Sequence, residues 1–192
     1  MKLLEKAIAE KGRVFEGDVL NVGSFINHQI DSVLLAKMAD EICAHFGDKG
    51  VNKVLTVEAS GIALAILVAE RLGCMMVFAK KSKALNDAGE MYAAECRSFT
   101  RPGVNTVIVP KEYLGSDDNV LIVDDFLAVG NAASALRSIV EKAGAHLCGM
   151  AVAVEKGYQG GGDKIRKEGV DLLSLAVIDS MENGKITFRE QL

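Results

Sequence analysis

The chain is 192 residues long, carries a formal charge of −4 at neutral pH and is 49% hydrophobic. A chain of this length is expected to fold as one domain, 1–192, and to bury roughly 70% of its unfolded surface without a disulfide or metal. The acidic balance excludes the basic surface typical of nucleic-acid binding, and no apolar run reaches the roughly 20 residues of a membrane span. We therefore expect neither nucleic acid nor a membrane as a partner.

Helices and strands are predicted to alternate along the chain, because apolar residues recur at helical spacing between short β-branched runs. The predicted helices are residues 2–11, 31–47, 62–72 and 131–143. The predicted strands are residues 53–57, 75–79, 106–109, 120–123, 147–154 and 172–178. This alternation indicates an α/β fold with a mostly parallel, twisted sheet flanked by helices. Ligands of such sheets bind at the carboxyl ends of the strands.

Two segments lack a regular pattern. Residues 80–102 are polar and poorly periodic, which indicates a mobile loop that short strands could flank. Residues 157–162 are glycine-rich, which indicates a flexible loop. The second segment is not a Walker-type phosphate loop, since no GK[ST] follows it.

The four cysteines, Cys43, Cys74, Cys96 and Cys148, are widely spaced and form no CxxC pair. The three histidines show no metal-ligand spacing either. We therefore expect reduced thiols, a cytoplasmic protein and no zinc site.

The stretch 120–133, VLIVDDFLAVGNAA, carries the strongest functional pattern. Its apolar run predicts a buried strand that ends in Asp124 and Asp125, and a short loop then leads into a helix near Asn131. A helix N-terminus suits a phosphate, whereas carboxylates suit sugar hydroxyls, a metal ion or a developing positive charge. A ligand that carries both ribose and phosphate fits both halves of the motif. The alternative is a solvated turn in which an aspartate caps the next helix.

A second turn of similar form covers residues 58–61 and joins a predicted strand to the next helix. The N–H groups at this helix start could bind a second phosphate, although an ordinary N-cap by Ser60 explains the same pattern. Lys81 could contact a polyphosphate as a point charge, and Lys156 could donate a hydrogen bond to a carbonyl group. Solvated surface lysines are the alternative at both positions.

The 120–133 motif resembles the phosphoribosyl-diphosphate-binding motif of type I phosphoribosyltransferases, in which two acidic residues and a loop usually written Thr-Gly-Gly-Thr follow a hydrophobic strand. Here the loop is Val129-Gly130-Asn131-Ala132, so both hydroxyl positions are apolar. Phosphate binding would then depend more on backbone N–H groups and the Asn131 amide. The chain is also similar to bacterial xanthine phosphoribosyltransferases, whose loop likewise lacks the threonines, in residues 20–31, 58–63, 77–81 and 154–156.

The resemblance covers nearly the whole chain and implies the type I phosphoribosyltransferase fold with a small N-terminal hood, to which residues 1–35 contribute. It implies a homodimeric, cytoplasmic purine-salvage enzyme. Such an enzyme converts xanthine and phosphoribosyl diphosphate into xanthosine 5′-monophosphate and diphosphate. Mg²⁺ would be bound mainly through the phosphoribosyl diphosphate, with no direct protein ligand expected.

Carried over by position, the resemblance assigns the ribose hydroxyls to Asp124 and Asp125 as catalytic residues. Their negative charge would favour the cationic ribose of the transition state. It assigns xanthine to Leu20, Asn27 and Lys156. It assigns phosphoribosyl diphosphate to Glu58, Ala59, Ser60, Gly61, Lys81, Ala128, Val129, Gly130, Asn131 and Ala132. Residues 80–102 are a candidate lid that would exclude water from the reacting sugar.

Three other functions stay open at this point. The first is a hypoxanthine–guanine or adenine phosphoribosyltransferase, of which adenine use is disfavoured because Lys156 is a donor only. The second is a non-catalytic phosphoribosyl-diphosphate sensor, which is disfavoured because motifs at residues 20–156 leave no room for a DNA-binding domain. The third is a small-molecule-binding protein without turnover.

Overall fold

The computed structural model describes residues 1–15, 17, 19–81, 89–97 and 104–190. Its helices are α1 (Lys2–Lys11), α2 (Ser32–Phe46), α3 (Ile62–Leu72), α4 (Asn131–Ala143) and α5 (Gly161–Lys167). Its strands are β1 (Arg13–Phe15), β2 (Val19–Asn21), β3 (Lys53–Val57), β4 (Met75–Ala79), β5 (Met91–Arg97), β6 (Val104–Pro110), β7 (Asn119–Leu127), β8 (His146–Lys156), β9 (Leu172–Ser180) and β10 (Thr187–Phe188).

A six-stranded sheet in the order β10-β9-β8-β7-β3-β4 organises the fold. Its strands pair in parallel except at one edge, where β10 runs antiparallel to β9. The predicted α/β fold with a mostly parallel sheet is therefore confirmed. The carboxyl ends of β3, β7 and β8 lie side by side, which makes this edge the expected place for a ligand.

Strand β7 is buried on both faces because its apolar residues alternate between two hydrophobic clusters. Leu121 and Val123 pack with the buried side of α1, α2 and α3. Val120 and Ile122 pack with the buried side of α4 and with β6. A strand covered on both faces needs an apolar residue at every position, which the run Val-Leu-Ile-Val supplies.

The helix ends follow local sequence signals. Asp31 precedes α2 and accepts a hydrogen bond from the Leu34 N–H at 3.1 Å, which is an N-cap. Gly73 and Gly144 follow α3 and α4 with φ of 64° and 69°, left-handed conformations that glycine adopts without steric cost. Both glycines end the helices that the sequence predicts at these positions.

Two predicted loops contain regular structure. Residues 91–97, inside the predicted loop 80–102, form β5, which pairs antiparallel with β6. Residues 82–88 and 98–103 of the candidate lid lie outside the described residues. The glycine-rich segment 157–162 is not a loop throughout, since a 3-10 turn at Gly157–Gln159 leads directly into α5. Here backbone hydrogen bonds and packing outweigh the low helix propensity of glycine.

The N-terminal segment combines core packing with a small sheet. Leu4 and Ile8 of α1 are fully buried and pack against the main hydrophobic cluster. Strands β1 and β2, which are too short to produce a clear sequence pattern, form an antiparallel pair, and a π-helical turn follows at Gly23–Asn27. The contribution of residues 1–35 to base binding stays a prediction.

Two further findings concern the chain as a whole. All four cysteines carry free thiols and are partly buried. Among the helices that the structure describes, none is long and apolar enough to cross a membrane.

Candidate active site

A cavity of about 310 Å³ opens at the carboxyl edge of the sheet. Its floor is the end of β7, and its sides are the turn after β3, the start of α4 and the paired strands β5 and β6. The lining residues are Val57, Glu58, Ser60, Lys81, Cys96, Asn105, Val107, Asp124, Asp125, Phe126, Leu127, Ala128, Val129, Gly130, Asn131, Ala132 and Ala133. The structure thus brings both predicted acidic residues, the whole predicted loop and part of the second turn to one cavity.

The sequence predicts that Asp124 and Asp125 follow the strand, and this prediction is wrong, because both lie within β7. The strand continues to Leu127 because β8 offers a partner along its whole length, with Asp124 paired to Val152 and Phe126 to Val154. Ladder hydrogen bonds involve the backbone alone, so two polar side chains do not end the strand. Both aspartates are buried, with 8% and 7% of their surface exposed.

Burial raises the pKa of Asp124 well above its ordinary value, and the negative charge of Asp125 raises it further. The Asp125 N–H donates to Asp124 Oδ1 at 2.9 Å and opposes this shift, as does the positive charge of Lys81. The two carboxyl groups are adjacent, and Asp124 therefore does not ionise readily. A positive charge placed against them would favour the ionised form of Asp124.

Asn27 connects the N-terminal segment to this site. Its Nδ2 donates to Asp125 Oδ2 at 3.4 Å, across 98 positions of sequence. The contact puts the predicted base-binding asparagine at the edge of the predicted ribose site.

Gly61 is the N-cap of α3 and lies against Asp124. A Cβ at this position would overlap the Thr56 hydroxyl oxygen and lie 2.9 Å from Asp124 Oδ1. A glycine is needed because the helix start approaches the carboxylate closely. Sequence reasoning missed Thr56, whose Oγ1 is buried without a hydrogen-bond partner among the described residues. A single threonine in a strand is typical of a sheet and gives no signal of a site.

The loop predicted to hold a phosphate forms the entry to α4. Gly130 is the N-cap with φ of 90°, and its carbonyl accepts the Ser134 N–H at 2.9 Å. Asn131, Ala132 and Ala133 form the first turn of α4 and line the cavity. N–H groups in a first helical turn have no carbonyl partner within the helix and carry the positive end of its dipole. The start of α4 is therefore suited to bind an anion.

The second predicted turn also reaches the cavity. Glu58 Oε1 accepts the backbone N–H of Lys81 at 2.7 Å, which joins the ends of β3 and β4. Ser60 lines the cavity and is not the N-cap of α3, so the alternative interpretation of this serine is wrong. Ala59 and Gly61 lie in the same turn but outside the lining.

None of the three predicted base-binding residues lines this cavity, and Asn27 is connected to it only through its contact with Asp125. Leu20 of β2 is 7% exposed and packs in the main hydrophobic cluster. Lys156 ends β8, where it pairs with Ile178 of β9 and is half-buried. Their roles stay predictions.

Three lining residues come from strands β5 and β6 and were missed: Cys96, Asn105 and Val107. Two of them lie outside the one strand predicted in this region, 106–109. Burial raises the pKa of the Cys96 thiol, the positive charge of Lys81 lowers it, and the negative charge of Asp124 raises it. The run Met91–Arg97 has two consecutive alanines and no clear alternation, so its sequence gives little indication of a strand.

Within the described ranges, no group of three or more histidine, cysteine, aspartate or glutamate side chains is arranged to hold a metal ion. The cavity does contain carboxylate oxygens from Glu58, Asp124 and Asp125. Oxygen donors of this kind suit Mg²⁺, which binds through one or two carboxylates and substrate phosphates.

A cavity that joins two buried carboxyl groups to a helix start, at the carboxyl edge of a mostly parallel sheet, places the chain among the ligand-binding α/β proteins. The chain belongs to the family of phosphoribosyl transferase domains, whose family model matches residues 27–172. The site lies within that matched range.

Curated relatives share the whole length of the chain. It is 46% identical to a xanthine phosphoribosyltransferase of Ruminiclostridium cellulolyticum, over 99% of this chain and 100% of the relative. It is 48% identical to a xanthine phosphoribosyltransferase of Bifidobacterium longum subsp. infantis, over 98% of this chain and 100% of the relative. The resemblance to this group of enzymes is therefore confirmed.

A solved structure shows the same fold. The adenine phosphoribosyltransferase from Rhodothermus marinus aligns with a TM-score of 0.72, covering 92% of this chain and 98% of that chain. At 21% identity, this similarity supports the fold alone. The predicted type I phosphoribosyltransferase fold is thus confirmed.

Proposed function

We propose that this protein is a xanthine phosphoribosyltransferase of purine salvage, which forms xanthosine 5′-monophosphate and diphosphate from xanthine and phosphoribosyl diphosphate. The proposed class of reaction is supported by one observation, the buried pair Asp124–Asp125 beside the N-terminus of α4. The choice of xanthine is supported by the full-length relatives of that name.

The reaction breaks the bond between ribose C1 and the diphosphate oxygen, whose electron pair leaves with the diphosphate. Positive charge grows on the ribose ring, and a base nitrogen then forms the new bond to C1 while its proton passes to the released diphosphate or to water. Asp124 and Asp125 bind the ribose hydroxyls, and their negative charge stabilises the cationic ring. The raised pKa of Asp124 fits this role, because a cationic ring would draw the carboxyl group back to its ionised form.

The start of α4 and the turn before α3 are proposed to bind different phosphate groups of the substrate. The loop 128–132 binds the 5′-phosphate through N–H groups at the start of α4, and the Asn131 amide adds a donor. The turn 58–61 and Lys81 face the diphosphate, where the ammonium group neutralises part of the leaving charge. Support for this division comes from the cavity, to which both elements contribute.

Mg²⁺ is proposed as a cofactor that binds mainly through the diphosphate, since the cavity offers carboxylates but no dedicated cluster of ligands among the described residues. When bound, it supplies charge neutralisation for the leaving diphosphate. Any direct protein contribution would come from the lining carboxylates, Glu58, Asp124 or Asp125.

Base selection is proposed to depend on the N-terminal segment and the end of β8. Lys156 donates to the 6-oxo group, which xanthine, hypoxanthine and guanine share, and so disfavours adenine. The Asn27 amide donates to the 2-oxo group, which distinguishes xanthine. Leu20 contributes apolar contact with the base.

The decisive experiment measures diphosphate release from phosphoribosyl diphosphate with Mg²⁺ and one base at a time: xanthine, hypoxanthine, guanine or adenine. Fastest turnover with xanthine supports the proposal. Preference for hypoxanthine or guanine would contradict the choice of base. Tight binding of phosphoribosyl diphosphate without turnover of any base would indicate a sensor or binding protein.

We also propose a cytoplasmic homodimer. Support comes from strand β4 at the edge of the main sheet, where Met75 is 74% exposed and Phe78 is 37% exposed. Apolar side chains on an open edge strand favour a protein interface. Sedimentation equilibrium should give twice the chain mass of 20.5 kDa. A monomer at micromolar concentration would contradict the dimer.

A further inference from the structure

Glu155 is a fully buried carboxylate that the proposed chemistry does not use. It lies in β8 next to Lys156, and Arg166 of α5 binds it with both arms of its guanidinium. Arg166 Nη1 donates to Oε1 at 3.1 Å, and Nη2 donates to Oε2 at 2.7 Å. The hydroxyl of Ser174 in β9 also donates to Oε2 and accepts Arg166 Nη2 at 3.0 Å.

A buried ion pair of this kind is poor evidence for a role in stability. The cost of removing both charges from water offsets much of their attraction, and apolar replacements are often as stable. The bidentate geometry does fix the orientation of the partners. The pair therefore orients the two elements that carry it, the end of β8 and helix α5.

Two consecutive glycines allow the start of helix α5 to lie directly between Glu155 and the proposed phosphate loop. A Cβ at Gly162 would overlap the Glu155 carboxylate. A Cβ at Gly161 would overlap the Ala128 carbonyl oxygen and lie 2.9 Å from the Gly130 nitrogen. The backbone of α5 therefore touches the carboxylate on one side and the loop backbone on the other.

The end of β8 and helix α5 differ in how many contacts fix their backbones. The end of β8 is paired with β7 and β9, so its backbone is fixed by two ladders. Helix α5 has only seven residues, and a helix this short depends on contacts with the rest of the fold. Loss of the Arg166 contact should therefore release α5 and the loop that rests on it, while Lys156 keeps its place.

We propose that Arg166 and Glu155 are positioning residues for the 5′-phosphate subsite. Their ion pair holds the start of α5 in contact with residues 128–130 and so keeps the backbone of that loop in the conformation that binds the phosphate. The assignment of the loop to the 5′-phosphate rests on the proposed function.

The test compares Arg166→Met with Arg137→Met. Arg137 is a matched control, because it is about as exposed as Arg166 and also donates to two carboxylates, those of Glu141 and Glu168. Both of these partners are exposed at the surface, whereas Glu155 is buried. Three quantities are measured for each variant: the KM for phosphoribosyl diphosphate, the KM for xanthine, and the Kd of ribose 5-phosphate by calorimetry.

In Arg166→Met, the KM for phosphoribosyl diphosphate and the Kd of ribose 5-phosphate should rise about 10- to 100-fold, as expected for a displaced binding group. The KM for xanthine should stay within about twofold, and Arg137→Met should match the wild type in all three quantities. A purely structural role would lower the Tm without this split between substrates.

The proposal is wrong if Arg166→Met behaves as the control does, or if the KM for xanthine rises as much as that for phosphoribosyl diphosphate. Should Arg166→Met fail to fold, Ser174→Ala removes one donor to Glu155 and should shift the same two quantities by a smaller factor; no shift there overturns the proposal. If the wild type lacks turnover with xanthine, the proposed function fails, while the ribose 5-phosphate titration still tests the positioning role.

Discussion

Asn27 Nδ2 lies 3.4 Å from Asp125 Oδ2 and joins the N-terminal segment to the carboxylate pair. The distance is at the long end for a hydrogen bond, so a ribose hydroxyl can displace the amide at small cost. A displaced Asn27 would then be available to the base. Ribose binding and base binding would in this way share one side chain.

Asn27→Ala should raise the KM for xanthine about 3- to 10-fold and the KM for hypoxanthine less, because only xanthine has a 2-oxo group to lose a donor. Steady-state kinetics with both bases measures this difference. The control is Asn21→Ala, which removes the acceptor of the Gly23 N–H in the same segment without touching Asp125. Equal losses for the two bases in Asn27→Ala would contradict a role in base selection.

Asp125→Asn should lower kcat by about 10²–10³-fold and leave the fold intact, because it removes negative charge from the cationic ribose without changing the size of the side chain. Asp117→Asn, at an exposed position just before β7, is the control and should retain the kcat of the wild type. A near-normal kcat for Asp125→Asn would remove Asp125 from the catalytic role.

Asp124→Asn should raise the Tm at neutral pH although it impairs turnover. Burial and the charge of Asp125 raise the pKa of Asp124 above its value in the unfolded chain, so the native state holds a proton that the unfolded state has lost. The free energy of unfolding then falls as the pH rises from the unfolded pKa, about 3.9, through the native pKa. Each kcal/mol recovered by the asparagine raises the Tm by about 2–4 °C in a chain of this size.

The measurement for Asp124→Asn is the difference in Tm between variant and wild type from pH 4 to pH 8, which should grow with pH. Asp171→Asn provides a control of opposite sign. Burial acts to raise the pKa of Asp171, but hydrogen bonds from Lys49 and His45 outweigh it and lower the pKa, so the wild type should gain stability relative to this variant as the pH rises. A wild type more stable than Asp124→Asn at pH 8 would contradict the assignment.

Much of the fold could be predicted because its strongest signals are local. The run before Asp124 is apolar at every position, and Gly73 and Gly144 mark helix ends directly. Strand β5 could not be predicted, since its stability comes from pairing with β6 and from packing against α4, neither of which leaves a pattern in residues 91–97.

The candidate site also combines residues with a local sequence signal and residues whose contacts form only in the folded chain. The pair Asp124–Asp125 and the loop around Gly130 are contiguous in sequence, so the sequence predicts them as one motif, and both line one cavity. Thr56 and the Glu155–Arg166 pair were missed, because their importance comes from what they touch across the fold. Sequence reasoning assigned Gly61 to a phosphate turn, and the structure adds a steric reason for the glycine.

Gly61→Ala tests that steric reason. The new methyl group would overlap the Thr56 hydroxyl and crowd Asp124 Oδ1, so α3 must move away from the carboxylate or β3 must shift. Overpacking of this kind costs about 1–3 kcal/mol, which corresponds to a fall in Tm of several degrees. Because the displaced helix start carries the turn 58–61, the KM for phosphoribosyl diphosphate should rise as well.

The matched control is Gly115→Ala, where nothing lies within 4 Å of the added methyl group and φ is not in the left-handed region. This variant should keep the Tm and the kinetics of the wild type. The double variant Thr56→Ala with Gly61→Ala separates the two contacts, because removing the hydroxyl relieves the overlap and leaves the methyl group against Asp124. Partial recovery of the Tm is expected, and a double variant less stable than Gly61→Ala would show that the Thr56 contact is not the source of the strain.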